Sequence, residues 1–135
     1  MGILIDTNIL IDAENDRFDL GRLRHYAGHG NTFISVITVT ELLMGVHLAT
    51  SAAARVRRSA FVEGMISKIT VLNFNEEIAR VYAELYSHQI QSRRKTEGNL
   101  HDLQIAATAI TYDHLLLTNN IADFKKTPGL RFEKP

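Results

Sequence analysis

The sequence of 135 residues contains no cysteine, which excludes disulfide bonds and thiolate metal sites. A chain without cysteine also fits the reducing environment of the cytoplasm. No apolar stretch approaches the ~18–20 residues needed to cross a bilayer. Asp6 interrupts the apolar start of the chain, where a signal peptide would need its hydrophobic core. We therefore expect a cytoplasmic protein with no membrane partner.

The chain also lacks net charge, because fifteen basic residues balance fifteen acidic residues. General electrostatic attraction to nucleic acid is therefore absent, and any such binding would depend on local separation of charge. The apolar fraction of 45% is ordinary for a globular protein. Together with the length, it predicts a single domain spanning residues 1–135 with a substantial core.

Short apolar runs alternate along the chain with segments of helical periodicity, the pattern of an α/β protein. Strands are predicted at 2–5, 33–37, 69–72 and 115–117, with an edge strand at 130–132 after the turn at 128–129. Helices are predicted at about 8–13, 38–46, 51–65, 75–85 and 103–110, and residues 92–99 are predicted to form a loop. The expected fold is a central, mostly parallel sheet of about five strands flanked by helices.

Four carboxylates lie just after predicted strands or at predicted helix starts: Asp6, Glu41, Asp102 and Asp123. The carboxyl ends of parallel strands meet at one edge of a sheet, where ligands bind in open α/β folds. Residues that are distant in sequence can therefore converge at that edge.

Each carboxylate taken alone also fits a purely structural role. Thr38 and Glu41 have the spacing of a helix capping box. Asp102 could favour a helix N-terminus, and Asp123 could be a turn residue. For Asp6 we find no local structural reason, because a buried strand does not require a carboxylate at its end. The joint placement of all four is the stronger signal.

Carboxylates that lie close together repel one another and raise each other's pKa values unless a cation holds them ionised. Oxygen ligands without His or Cys select Mg²⁺ or Mn²⁺. Such ions suit phosphodiester hydrolysis, because they activate water and neutralise phosphate. The residues alone therefore point to a hydrolytic metal site.

The pattern resembles the PIN-domain ribonucleases, and among them the VapC toxins of bacterial toxin–antitoxin pairs. The matching stretches are 4–8, 35–45, 101–107 and 117–124, and the resemblance extends over essentially the whole chain. It implies a PIN-like fold and a Mg²⁺- or Mn²⁺-dependent endoribonuclease. The implied substrate is a structured translation-related RNA such as tRNA or rRNA. The implied partners are a VapB-type antitoxin and a second copy of the chain in a homodimer.

By matching position, the resemblance implies that Asp6 and Asp102 are the principal metal ligands and that Glu41 completes the site or positions water. The family places a further acid at the position of either Asn120 or Asp123. Of these two positions in this chain, we favour Asp123 as the metal ligand and Asn120 as a polar neighbour.

The same resemblance implies supporting roles for smaller polar side chains. Thr118 would hydrogen-bond an aspartate from behind the metal ligands. Thr7 and Asn8 would brace the first turn of the helix after strand one.

Basic residues form two groups. Arg93, Arg94 and Lys95 precede Asp102 and could contact RNA phosphates, although basic runs are more often solvated loops. A second group, at 55–58, is expected to form a solvated helix face.

Two other functions remain open at this point. One is a PIN-like module that binds RNA or a protein without cutting. The other is a metal phosphoesterase acting on small substrates, although the chain has no Gly-rich loop for nucleotide triphosphates.

Overall fold

Strands and helices alternate in the structure as the sequence predicts. A computed structural model of the chain describes residues 2–92 and 100–135. Its elements in chain order are β1 (Ile3–Ile5), α1 (Thr7–Glu14), a 3₁₀ segment (Leu20–His29), β2 (Thr32–Ser35), α2 (Val36–His47), α3 (Ala52–Lys68), β3 (Thr70–Leu72), α4 (Glu76–Gln91), α5 (Leu100–Thr111), β4 (Leu115–Leu117), α6 (Ile121–Phe124) and β5 (Phe132–Glu133). In these described residues, no helix is long and apolar enough to cross a membrane.

The five strands form one sheet in the order β3-β2-β1-β4-β5, and all four pairings are parallel. The chain moves outward from β1 through β2 to β3 and then crosses back to β4 on the other side of β1. The strand order therefore reverses between β1 and β4. Such a reversal opens a crevice at the carboxyl ends of the two strands, which is where open α/β folds bind ligands.

Helices cover both faces of the sheet, so the central strands are apolar on both sides. Ile3 and Ile5 of β1 pack in a cluster with residues of α1, α2 and α3, whereas Leu4 packs in a cluster with α4, α5 and α6. All three side chains are almost fully buried. This double burial anchors β1 and fixes the position of the residue that follows it.

The boundary between the second strand and its helix differs from the sequence prediction of a strand at 33–37. The strand ends at Ser35, whose side chain accepts a hydrogen bond from the backbone N–H of Ile37 and caps α2. Val36 and Ile37 favour strands by propensity, but the serine cap satisfies the helix end and recruits both into the helix. Thr38 therefore lies inside α2, and its predicted role in a capping box is wrong.

The helix predicted from about residue 75 has its N-cap there, the predicted turn at 128–129 is confirmed, and one strand is shifted. Asn75 caps α4 by accepting a hydrogen bond from the N–H of Ile78. Gly129 has a φ of +79°, the left-handed conformation that glycine adopts freely, in the predicted turn. The edge strand is β5 at Phe132–Glu133, slightly later than predicted.

Candidate active site

Asp6 lies at the carboxyl end of β1, in the crevice where the strand order reverses, and is only 2% exposed. One carboxylate oxygen, Oδ1, accepts a hydrogen bond from the backbone N–H of Thr7 at 2.8 Å. The other, Oδ2, accepts from the Thr118 hydroxyl at 2.7 Å and from the Asn8 amide at 2.9 Å. These three donors fix the orientation of the carboxylate.

Asp6 has a local structural role that the sequence analysis missed. It is the N-cap of α1, with extended backbone angles of φ −72° and ψ 150°. The expectation that nothing local requires a carboxylate here is therefore wrong. Burial nevertheless raises the pKa of Asp6, and the nearby carboxylate of Glu41 raises it too, against the lowering effect of the three hydrogen bonds. A capping role alone does not explain why the carboxylate of Asp6 lies near the carboxylate of Glu41.

Asn8 and Thr118 join the two sides of the crevice. The Asn8 amide nitrogen lies within hydrogen-bond distance of both Asp6 and the Thr118 hydroxyl, and its amide oxygen accepts from the backbone N–H of Asn119 at 3.0 Å. The Thr118 hydroxyl in turn accepts from the backbone N–H of Asn120 at 3.0 Å. The turn after β4 is therefore held against the start of α1 through the carboxylate of Asp6.

Sequence reasoning missed a second link between these elements. The side-chain amide of Asn119 donates to Asp12 Oδ2 at 2.7 Å, and Asp12 also pairs with Arg17 at 3.5 Å. Asp12 lies on α1 and Asn119 in the turn after β4. No sequence motif joins two residues 107 positions apart, so only the fold shows that they meet.

Glu41 reaches the crevice from α2 and is held by threonines. The Thr7 hydroxyl donates to Glu41 Oε1 at 2.8 Å, and a hydrogen bond of 3.0 Å joins the hydroxyls of Thr7 and Thr38. Thr7 has a single hydroxyl proton, so Thr38 must donate to Thr7 when Thr7 donates to the carboxylate. On the other side, His101 Nδ1 lies 3.6 Å from Glu41 Oε2.

Asp102 lies in the first turn of α5, as predicted. Burial raises the pKa of this carboxyl to about 7, together with the charges of Asp6, Asp123 and Glu41 in that order. A carboxylate placed only to favour a helix N-terminus would be stabilised in its charged form. Asp102 is instead destabilised in its charged form, which is typical of a functional site.

The two candidates for the fourth acid lie close together in the turn after β4. Asn120 is the N-cap residue of the short helix α6 but makes no side-chain capping hydrogen bond. Asp123 lies within α6, is exposed, and is close enough to Asp102 to raise its pKa. Of the two side chains, only Asp123 contributes negative charge to the crevice.

The four predicted carboxylates therefore face one crevice and repel one another, but they do not enclose an ion as they stand. Within residues 2–92 and 100–135, no three His, Asp or Glu side chains are close enough together to hold a metal. The donor set nevertheless fits a hard divalent cation, because it consists of carboxylate oxygens. A cation would also relieve the repulsion that, in addition to burial, raises the pKa of Asp102. Enclosing it would require the side chains to draw together.

The predicted RNA contacts Arg93, Arg94 and Lys95 lie outside the described residues. In the second basic group, Arg58 pairs with Glu14 and donates to the backbone oxygen of Gly45. Arg55 donates to the backbone oxygen of Ala49. Two of the three arginines thus contact neighbouring elements, which is consistent with a helix face that supports packing.

We expect the link between Asp12 and Asn119 to control metal affinity. Asn119→Asp would place two carboxylates against each other and loosen the contact between the turn that carries Thr118 and the helix that carries Asn8. Changes behind metal ligands weaken metal binding by about tenfold or more. The measurement is the Mn²⁺ concentration that gives half of the maximal thermal stabilisation.

The control is the exchanged pair Asp12→Asn/Asn119→Asp, which restores one amide and one carboxylate. Mn²⁺ affinity should return toward that of the wild type, and Asp12→Asn alone should change it little. If the double variant binds Mn²⁺ as weakly as Asn119→Asp alone, the link does not act through this hydrogen bond.

Comparison with known proteins agrees with the resemblance noted in the sequence. The PIN domain family matches residues 3–130. Ribonuclease VapC1 of Rickettsia felis is 40% identical over 130 residues, covering 96% of this chain and 93% of that protein. A tRNA(fMet)-specific endonuclease VapC of Salmonella typhimurium is 31% identical, covering 96% of this chain and 95% of that protein.

Solved structures agree with these sequence relatives. The VapBC2 complex of Rickettsia felis, bound to a DNA fragment from its promoter, contains a chain with a TM-score of 0.88 and 29% identity. The match covers 100% of this chain and 99% of that one. The family match, the full-length relatives and the shared parallel sheet lead to one conclusion: this chain belongs to the PIN-domain family and, within it, to the VapC ribonucleases.

Proposed function

We propose that this chain is a Mg²⁺- or Mn²⁺-dependent endoribonuclease that acts as the toxin of a toxin–antitoxin pair. The observation that carries the metal dependence is the crevice between β1 and β4, where burial and the charges of three neighbouring carboxylates raise the pKa of Asp102 to about 7. A fold gains nothing in stability from such repulsion. We infer that the carboxylates are held together in order to bind a cation.

The proposed division of roles follows from how each side chain is held. Asp6, fixed by three donors, would be the anchoring ligand. Asp102 and Asp123 would complete the ligand set. A bound Mg²⁺ or Mn²⁺ supplies an activated water and neutralises phosphate charge.

Glu41 is proposed to orient the attacking water or to assist in holding the ion. Its Oε1 is committed to the Thr7 hydroxyl, which fixes the carboxylate while Oε2 lies toward His101. Hydrolysis would then leave a 5′-phosphate and a 3′-hydroxyl, as the resemblance implies.

The proposed substrate is a structured RNA used in translation, either tRNA or rRNA. The support comes from the Salmonella typhimurium relative, whose name specifies tRNA(fMet), at 31% identity over nearly the whole chain. This level of identity supports the class of RNA rather than a particular tRNA. Recognition would depend on RNA shape and unpaired nucleotides, as is usual for RNA.

The proposed partners are a VapB-type antitoxin and a second copy of the chain, in the cytoplasm. The structural relative from Rickettsia felis is a VapBC complex. Exposed large apolar side chains lie on α1–α3 and their connection, and on α4 and α5: Ile11, Met44, Leu48, Val56, Tyr86, Ile90 and Leu100. Exposed apolar groups are the kind that protein interfaces bury.

Light scattering of the purified chain tests the homodimer. We expect the mass of two chains at micromolar concentration. A mass of one chain over the whole accessible concentration range would contradict the proposed homodimer.

Cleavage of total cellular RNA and of purified tRNA tests the enzyme. We expect discrete fragments with Mg²⁺ or Mn²⁺ and none with EDTA. Asp102→Asn should lower the rate by more than about 100-fold. Mutating even a residue that only hydrogen-bonds a metal ligand lowers metal affinity or activity about 10–100-fold. Asp6→Asn should do the same, but its amide NH2 group would place a donor against the Thr7 N–H or the Asn8 amide donor, so this variant should also lose stability.

Asp16→Asn is the matched control, since Asp16 is exposed, lies away from the crevice, and has a φ of 58° that asparagine tolerates. It should cleave at the wild-type rate. A folded wild type that binds Mn²⁺ and RNA but cuts neither RNA pool would favour the non-cleaving module instead. Equal cleavage by wild type and Asp102→Asn would mean that this crevice is not the active site.

A further inference from the structure

A cavity of about 260 Å³ lies beside the carboxylate crevice and has no role in the function proposed so far. It is bounded by the C-terminal half of α4, the start of α5, and the segment that follows β4. Asp123 lines this cavity, and its negative charge also raises the pKa of Asp102. The cavity and the crevice therefore share a wall.

The lining of the cavity separates into an apolar part and a basic part. Leu85, Leu103 and Pro128 supply apolar surface, and Leu85 is almost fully buried. Lys125 and Lys126 lie at the same cavity and are exposed. Among the described residues, neither lysine forms an ion pair.

This combination matches the chemistry of one nucleotide. A base needs apolar surface for its faces, and a phosphodiester needs cations. Ligand sites for whole drug-sized molecules measure roughly 300–1,000 Å³, so a cavity just below that range suits a single base with its sugar. A free nucleotide triphosphate is a poorer match, because the chain has no Gly-rich phosphate loop.

The position of the cavity beside the carboxylates indicates that its ligand is part of an RNA chain. A nucleotide held there is next to Asp123, so the neighbouring phosphodiester would lie toward Asp6 and Asp102. A base inside a duplex is stacked and paired, and it cannot enter a cavity without leaving the stack. The occupant should therefore be an unpaired nucleotide.

We propose that the cavity between α4, α5 and the segment after β4 binds one unpaired nucleotide of the RNA substrate, next to the bond that is cut. The inference rests on the proposed ribonuclease function and adds to it a subsite. The base of the bound nucleotide packs on Leu85, Leu103 and Pro128. Lys125 and Lys126 bind the adjoining phosphates.

Binding of a fluorescein-labelled single-stranded RNA tests the subsite separately from cleavage. All proteins carry Asp102→Asn, so that the RNA stays intact. Gln89→Trp fills the cavity from α4, because Gln89 lines it. We expect affinity for the RNA to fall about tenfold, the size of effect that one lost nucleotide contact produces. Gln91→Trp, on the same helix but outside the cavity lining, should bind RNA like its parent.

The lysines give a second measurement that does not depend on the tryptophan variant folding well. Each phosphate contact contributes about 0.7 to the slope of log affinity against log salt for a single strand. Lys125→Ala/Lys126→Ala should therefore lower that slope by about 1.4. The control Lys68→Ala/Lys134→Ala removes two exposed lysines elsewhere and should leave the slope unchanged.

Unchanged affinity in Gln89→Trp with an unchanged slope in the lysine variant would overturn the proposal and leave the cavity to another occupant, such as an antitoxin segment. The proposal would also be overturned if the same variants lost affinity equally for a blunt RNA duplex. Such a result would mean that the lysines attract any RNA by charge alone.

The cleavage test keeps the two proposals apart. If the wild type cuts RNA but neither cavity variant changes binding, only the subsite fails. If both variants lose single-strand binding but the wild type never cuts, the nuclease fails and the cavity stands as a nucleotide-binding site without an adjacent bond that is cut.

Discussion

The repulsion among the carboxylates at the ends of β1 and β4 is the constraint on which the account of this protein depends. The parallel sheet places Asp6 at the point where the strand order reverses, and α2 and α5 bring Glu41 and Asp102 to the same crevice. Burial and the three neighbouring charges together raise the pKa of Asp102 to about 7. The fold thus holds a set of charges that it does not itself neutralise, and a divalent cation is the natural counterpart.

The surrounding structure controls how much of this set can move. Asp6 is fixed by donors from Thr7, Asn8 and Thr118, and Glu41 is fixed by Thr7. Two buried apolar clusters, one on each face of the sheet, hold β1 in place beneath them. The ligand at the centre is therefore rigid, while exposed Asp123 lies at the rim beside the cavity. This arrangement suits a site that closes around an ion and a phosphodiester.

Much of this arrangement could be predicted from the sequence, because apolar runs and periodicity fix the strands, and strand ends fix the carboxylates. The parallel sheet and the family were both predicted correctly. Boundaries that depend on competing local effects were not: Ser35 caps α2 and draws Val36 and Ile37 out of the predicted strand. The structural role of Asp6 as an N-cap and the contact between Asn119 and Asp12 were also missed. The cap could have been found, since an aspartate directly before a predicted helix is a local signal for an N-cap. The contact between Asn119 and Asp12 joins residues that are distant in sequence, and no spacing encodes it.

Thermal unfolding of wild type and Asp102→Asn across pH, without metal and with Mn²⁺, tests the central claim most directly. The ordinary pKa of this carboxyl is 3.8 and its folded value is about 7, so the fold favours the protonated form. The stabilising contribution of Asp102 is complete below pH 3.8 and is lost as the pH rises through about 7. Without metal, Asp102→Asn should therefore gain stability over wild type as the pH rises between about 4 and 7, and Mn²⁺ at about pH 8 should stabilise wild type far more than the variant. A difference in Tm that is independent of both pH and Mn²⁺ would contradict the account.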